Sequence, residues 1–320
     1  MGRYILRRLI ISIPVLFGIT VVTYAIVALA PGDPVSALVD PEQVAALGPG
    51  WLEQQRAELG LNRPLPVRYG LWMKEVVQGN LGYSFSDRQP VADKIGERLW
   101  PTVKLMLTVQ LLALLIAVPI GVLSAVRQYS ILDYLATVFG FTTISIPSFF
   151  LALGGIYLFA IKLRLLPTAG MRTIGAPPSL LDSLHHLILP ATVLGLAQAA
   201  PLIRYTRSSM LETIRTDYVR VARAKGLSEG NVITRHALRN ALIPLVTVIA
   251  LTLPQLLGGA VIIEQVFSWP GMGSLAIRAV RGRDYPTIMA INMIGAVAIL
   301  VSSLIADVIY AWIDPRIDYS

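Results

Sequence analysis

The chain has 320 residues, 55% of them hydrophobic and 14% charged, with no cysteine and a net charge of +8. Soluble domains carry about 25% charged residues, so the composition excludes an ordinary soluble pair of domains and makes lipid the solvent. The lack of cysteine excludes a disulfide framework and a cysteine-based metal site, and the positive excess fits loops retained in the cytoplasm better than a nucleic-acid surface.

Six runs carry no charged residue: Leu9–Gly32, Leu105–Val126, Tyr134–Ile161, Leu187–Ile203, Asn240–Ile263 and Tyr285–Ala306. A helix crossing the hydrocarbon needs roughly 17–25 apolar residues, and irregular backbone cannot face lipid unpaired. The runs therefore predict an all-α polytopic protein with six transmembrane helices. The first run follows Arg3, Arg7 and Arg8 and ends at Ala28-Leu29-Ala30 before Pro31. It resembles a secretory signal but exceeds the roughly 7–15 apolar residues of a signal core, and Pro31 would block cleavage, so a retained first helix is expected. The fourth run contains Pro190 and Pro201, which neighbouring helices can accommodate.

The basic N-terminus predicts a cytoplasmic start, and six crossings return the C-terminus to the same side. The expected organisation is an N-terminal segment with the first helix (1–32), an extracytoplasmic subdomain (33–100) and a five-helix core (101–320) with a cytoplasmic loop at 204–239. The outer segment alternates Pro/Gly signals with two helical patterns, Trp51–Leu59 and Val67–Val77, and so reads as ordered. Arg127–Asp133 is expected inside and Lys162–His186 outside. Arg278, Arg281 and Arg283 fall on the outer side against the rule.

Arg204–Arg239 is the most basic stretch, with eight Lys/Arg against Glu212, Asp217 and Glu229. Each Lys or Arg at mid-bilayer costs about 3 kcal/mol, so the segment is a loop. Met210, Ile214, Tyr218, Val221 and Ala222 predict one apolar helix stripe. Gly226 suits a C-terminal cap and Ser228 an N-cap of a second helix through His236. Two readings stay open: a basic loop on anionic headgroups, or a helix–Gly–helix docking surface for a cytoplasmic protein.

Other polar positions carry two readings each. Thr142, Ser145, Gln198, Gln255 and Asn292 either line a pathway or hydrogen-bond helix to helix. Glu264, with Trp269 nearby, is either an interfacial carboxylate or an outer gate or binding-protein contact. His185-His186 reads as a polar pair and no metal site is expected, since no H-E-x-x-H spacing is present. No G-x-x-x-x-G-K-[ST] phosphate loop occurs either.

Ala222-x-x-x-Gly226 within ARAKGLSE…RHALRNALIP resembles the cytoplasmic loop of ATP-binding-cassette importer permeases, and specifically the dipeptide/oligopeptide permease family. LGLNRPLPVRYGLW (59–72), GNLGYSF (79–85), SIPSFF (145–150), EQVFSWPGMG (264–273), RDYP (283–286) and the tail DPRI (314–317) concur, in order along nearly the whole chain. Arg220 stands where the general motif has glutamate, and Asn80 where this family often has aspartate. The resemblance implies a type I ABC importer permease fold in the cell membrane. It implies a second homologous permease subunit, two ATPase subunits and an extracytoplasmic solute-binding protein as partners. Tyr218, Arg220, Ala222, Arg223, Lys225, Gly226, Glu229 and His236 would form the ATPase-coupling loop. No cofactor is expected on this chain; ATP and magnesium belong to the partner ATPases. Nickel and glutathione systems share the family pattern. The alternatives are a self-sufficient channel or secondary carrier, whose proton or ion coupling usually leaves acidic groups at mid-membrane, and an intramembrane enzyme.

Overall fold

The computed structural model describes residues 2–29, 35, 49–58, 60–259 and 261–313, without the side chains of 2–5, 49, 247, 250–259, 306 and 308–313. Among the described residues the fold is helical, with a single β-bridge, Tyr83 to Pro90. Four helices are long and apolar enough to cross a membrane: Leu6–Leu29, Val91–Val126, Leu180–Ile214 and Tyr285–Ile305. They cover the first, second, fourth and sixth predicted runs. The fifth run forms Leu238–Gly259, whose 22 residues reach about 33 Å.

The third run departs from the single helix expected. Ile131–Ser145 and Ser148–Lys162 meet at a 100° bend. Pro147 causes it: the residue before a proline is pushed out of the helical region, and Ile146 is extended at φ −93°, ψ 121°. Pro190 and Pro201, by contrast, lie inside one unbroken helix, Leu180–Ile214.

The chain divides into two compact units. One comprises Met1–Pro101 with Gly271–Val301. It contains helices α1 (Gly2–Leu29), α2 (Pro49–Glu58), α3 (Leu65–Val77) and the start of α4 (Val91–Val126). Tyr24, Tyr69 and Trp72 pack edge-on or tilted at 5.4–6.0 Å between ring centroids, fixing α3 against α1. Loop 82–91 is held by one buried carboxylate, Asp284. It accepts from Ser84 Oγ (2.5 Å), Phe85 N (2.9 Å) and Thr287 Oγ1 (2.7 Å), with Lys94 Nζ at 3.8 Å.

The other unit comprises Thr102–Pro270 with Ser302–Ser320. It holds the rest of α4, α5 (Ile131–Ser145), α6 (Ser148–Gly155) with a π-helical continuation to Lys162, and α7 (Leu180–Ile214). Lipid tails are as apolar as leucine, so helices in a bilayer associate by close packing of small residues. The core follows that rule: Ala113, Ala117, Ala136 and Ala199 are buried together with Leu202, Ile203 and Leu245. Gly121 lies so close to α7 that a Cβ would sit 2.6 Å from Thr206 Cβ, and one at Gly195 would sit 2.9 Å from Leu112 Cδ2.

Candidate functional site: the basic loop and the bundle end that carries it

The loop is a small packed structure. α7 ends at Ile214, and Thr216 is extended at φ −72°, ψ 154° before α8 (Asp217–Ala224) begins. The single helix predicted over Met210–Ala222 is therefore two. This break rephases the apolar stripe. Met210 and Ala222 are buried as expected, but Val219 replaces Tyr218 and Val221, which are 45% and 53% exposed. Val219 and Ala222 pack with Ala125, Met210, Val232, Ile233, Ala237 and Ala241, so the loop carries its own apolar core. Outward the elbow presents Tyr218, Arg220, Val221, Arg223 and Lys225.

Gly226 turns the chain at φ +79°, and its N–H donates to Arg223 O at 2.9 Å. This is the left-handed cap that glycine adopts without steric cost. Ser228 occupies the predicted N-cap position at φ −63°, ψ 143° without a side-chain cap bond. A short α9 (Glu229–Asn231) and a π-helical stretch, Val232–Ala237, lead into α10 (Leu238–Gly259). His236 is half-buried in that stretch. Arg223 grips Glu229 across the turn with Nη2–Oε1 at 2.7 Å and Nε–Oε2 at 3.1 Å. The hydrogen bonds from Arg223 lower the Glu229 carboxyl below its ordinary value, and those to Glu229 raise the guanidinium. Arg220 and Asp217 lie 3.3 Å apart but are almost fully exposed, a geometry that contributes little.

A buried ion pair fixes α7 just above the loop. Asp133, 4% exposed, accepts from Arg207 Nε at 2.7 Å and Nη2 at 2.8 Å, from Tyr129 N at 3.0 Å and from Ser124 Oγ. Ser209 Oγ donates to Ala241 O at 2.8 Å, tying α7 to α10. The sequence reading missed both ties. An acid just before an apolar run, three residues after an N-cap serine, was the local signal for Asp133; its partner lies 74 residues away.

Gln198 Nε2 donates to Gln110 Oε1 at 2.6 Å, a helix-to-helix bond. Thr142 and Ser145 are exposed before the bend, and Ser145 Oγ bonds back to Phe141 O at 2.8 Å. Asn292 is exposed on its helix, and the Gln255 side chain lies outside the described residues. Glu264 and Trp269 are both 0% exposed. Thr102 Oγ1 donates to Glu264 Oε1 at 2.7 Å, and Trp269 N donates to Glu264 O at 2.7 Å. Both residues are thus packed within their own unit, tied to Thr102 and to each other. His186 Nδ1 lies 2.9 Å from Asp182 O, and His185 Nε2 lies 2.7 Å from Leu165 O. The two rings also meet edge-on at 6.3 Å between centroids, and His186 Nδ1 lies 3.4 Å from Asp182 Oδ1.

Helices long and apolar enough to cross a membrane, joined through an ordered, basic, helical elbow, define a multi-pass membrane protein. The chain belongs to the family described as the binding-protein-dependent transport system inner membrane component, whose profile matches residues 117–319; that of the N-terminal region of such components matches residues 1–106. It is therefore a multi-pass inner-membrane protein. The oligopeptide transport system permease protein AppB of Bacillus subtilis is 45% identical over 320 residues, covering 100% of both chains. The dipeptide transport system permease protein DppB of Alkalihalophilus pseudofirmus is 39% identical, and the glutathione transport system permease protein GsiC of Escherichia coli O6:H1 is also 39% identical, each over the full length of both chains. Among solved structures, an inward-facing form of the MetNI methionine ABC transporter aligns with TM-score 0.55 at 18% identity, covering 69% of this chain and 96% of that one. That likeness concerns the fold alone, and it is the type I importer permease fold.

Proposed function

We propose that this chain is one of two membrane subunits lining the pathway of an ATP-driven importer of di- and oligopeptides. The observation that carries the reading is the full-length identity of 45% with an oligopeptide-system permease. In this reading an extracytoplasmic binding protein delivers the solute, and two ATPase subunits grip the elbow around α8. The exposed face from Tyr218 to Lys225 is the contact, and ATP and magnesium stay on the ATPases. The apolar core under α8 and the Arg223–Glu229 clasp support this role, because a stiff elbow transmits a displacement that an unstructured loop would absorb. The N-terminus and the elbow face the cytoplasm, as the basic residues require.

The test is purification of the chain with its partners from native membranes, followed by reconstitution. The expected result is recovery of a second permease and two ATPase polypeptides, with ATP hydrolysis stimulated by peptide-loaded binding protein and uptake of labelled peptides. Uptake of glutathione in preference to di- and oligopeptides would replace the substrate class. Gradient-driven uptake by the chain alone would overturn the importer reading.

A further inference from the structure

A groove opens between α5 and α7 at the bundle end that carries the basic elbow. Its volume is about 230 Å³. Gly140, Phe141 and Ile144 of α5 and Ala200 of α7 line its length, and Arg204 and Arg207 stand at its end. From Ala200 to Arg207 the helix rises about 10 Å. Over that length the groove is walled by apolar side chains and backbone, a lining suited to a hydrocarbon chain. Phe141 and Ile144 are largely exposed in the chain and belong to an uncharged run, so the open side of the groove is apolar.

Its charged end is not neutral. Asp133 engages Nε and Nη2 of Arg207, which compensates that cation and leaves Nη1 as its remaining donor edge. Arg204, three residues earlier and exposed, adds a second guanidinium. The adjoining elbow carries further net positive charge, with eight Lys/Arg against three acids over 204–239. Apolar walls ending in guanidinium donors at the interface match a phospholipid with a negative headgroup.

We propose that this groove binds one anionic phospholipid, its phosphate on Arg204 and Arg207 and the upper part of one acyl chain along Gly140 and Ala200. The inference needs only the membrane location of the chain and stands whether or not the solute is a peptide. The site would sit beside the Asp133–Arg207 pair, where α7 passes into the elbow, so its occupant would touch the segment that leads to α8.

The experiment uses the purified full complex in nanodiscs with equal phosphatidylglycerol and phosphatidylcholine. Lipids retained after detergent release are read by native mass spectrometry. One surface cation contributes about 1 kcal/mol toward anionic lipid, about a five-fold factor, so about five-fold enrichment of phosphatidylglycerol in the retained adduct is expected. Arg204→Gln should bring the ratio to parity. Gly140→Leu should lower retention of both lipids, because a Cβ there meets only Ala200 O at 3.9 Å and the longer side chain fills the groove. Unchanged melting of both variants in light-scattering scans separates loss of the site from loss of the fold. Equal retention of the two lipids by the wild type, displacement of the adduct by inorganic phosphate, or cross-linking of Phe141→Cys to another membrane subunit with no lipid retained would each overturn the proposal.

Discussion

Arg223 and Glu229 face each other across Gly226 and make two parallel hydrogen bonds, at 2.7 and 3.1 Å. The pair joins the end of α8 to the start of α9, so the turn between them has a fixed angle. Both side chains are substantially exposed, so the clasp governs local geometry more than global stability. Glu229→Gln should raise amide exchange across 217–231 while leaving the membrane helices unchanged. Equal exchange in the two proteins would show that the apolar core alone holds the elbow. The pH dependence has a definite sign. The glutamate is depressed in the fold by the Arg223 bonds, so its contribution is whole above the ordinary value of 4.5. It fades as pH falls through the lower folded value. Exchange in 217–231 should therefore increase below that ordinary value in the wild type and change less in the variant.

Gly226 holds φ at +79°. Alanine at this position costs about 1 kcal/mol, and proline cannot adopt the angle at all; proline also removes the N–H that bonds Arg223 O. Gly226→Pro is expected to insert normally but to separate ATP hydrolysis from uptake in the reconstituted system, with Gly226→Ala intermediate. Normal uptake per ATP in the proline variant would remove the elbow from the coupling route.

Asp133→Ala strands Arg207 without its counter-charge. Breaking a buried pair costs about 3–5 kcal/mol. Arg207 is 28% exposed, so the loss should fall near or below the lower end of that range. The Asp133→Ala/Arg207→Leu double variant should recover much of it. Melting of the three proteins in the same detergent gives the comparison, and a double variant no more stable than Asp133→Ala would mean that Ser124 and Tyr129, not the ion pair, account for the effect.

Gly121→Ala tests the helix contact directly. Its Cβ would lie 2.9 Å from Ile203 O as well as 2.6 Å from Thr206 Cβ, and backbone cannot yield as a side chain does. Overpacking of this kind costs about 1–3 kcal/mol. Gly154→Ala, where nothing lies within 4 Å, should be neutral or slightly stabilising by the same melting measurement.

Much of the architecture was legible in the sequence because lipid imposes a simple demand: long uncharged runs must be helices. The elbow was legible as helix–Gly–helix for a similar reason, since Gly226 and the basic residues are local signals. What escaped the sequence depends on contacts or small departures from ideal geometry. The bend at Ile146-Pro147 was hidden because Pro147 looks no different from Pro190 or Pro201, which the longer α7 absorbs. The stripe around α8 was misphased because the two-residue break at Arg215-Thr216 rotates everything after it. Asp133 found its cation 74 residues away, and Glu264, expected as an interfacial carboxylate or an outer contact, is buried beside Thr102 and the Trp269 backbone. Pairings of that span are decided by packing, which no local pattern encodes.

The unbroken course of α7 has a mechanical corollary. Its 35 residues make a rod of about 52 Å, but a proline withholds one rung of the hydrogen-bond ladder and softens bending at its level. Pro201 and Pro190 put such levels about 20 and 36 Å from the tip at Ile214. A sideways push on that tip thus meets two compliant joints in series, and the far end swings less than a rigid bar would.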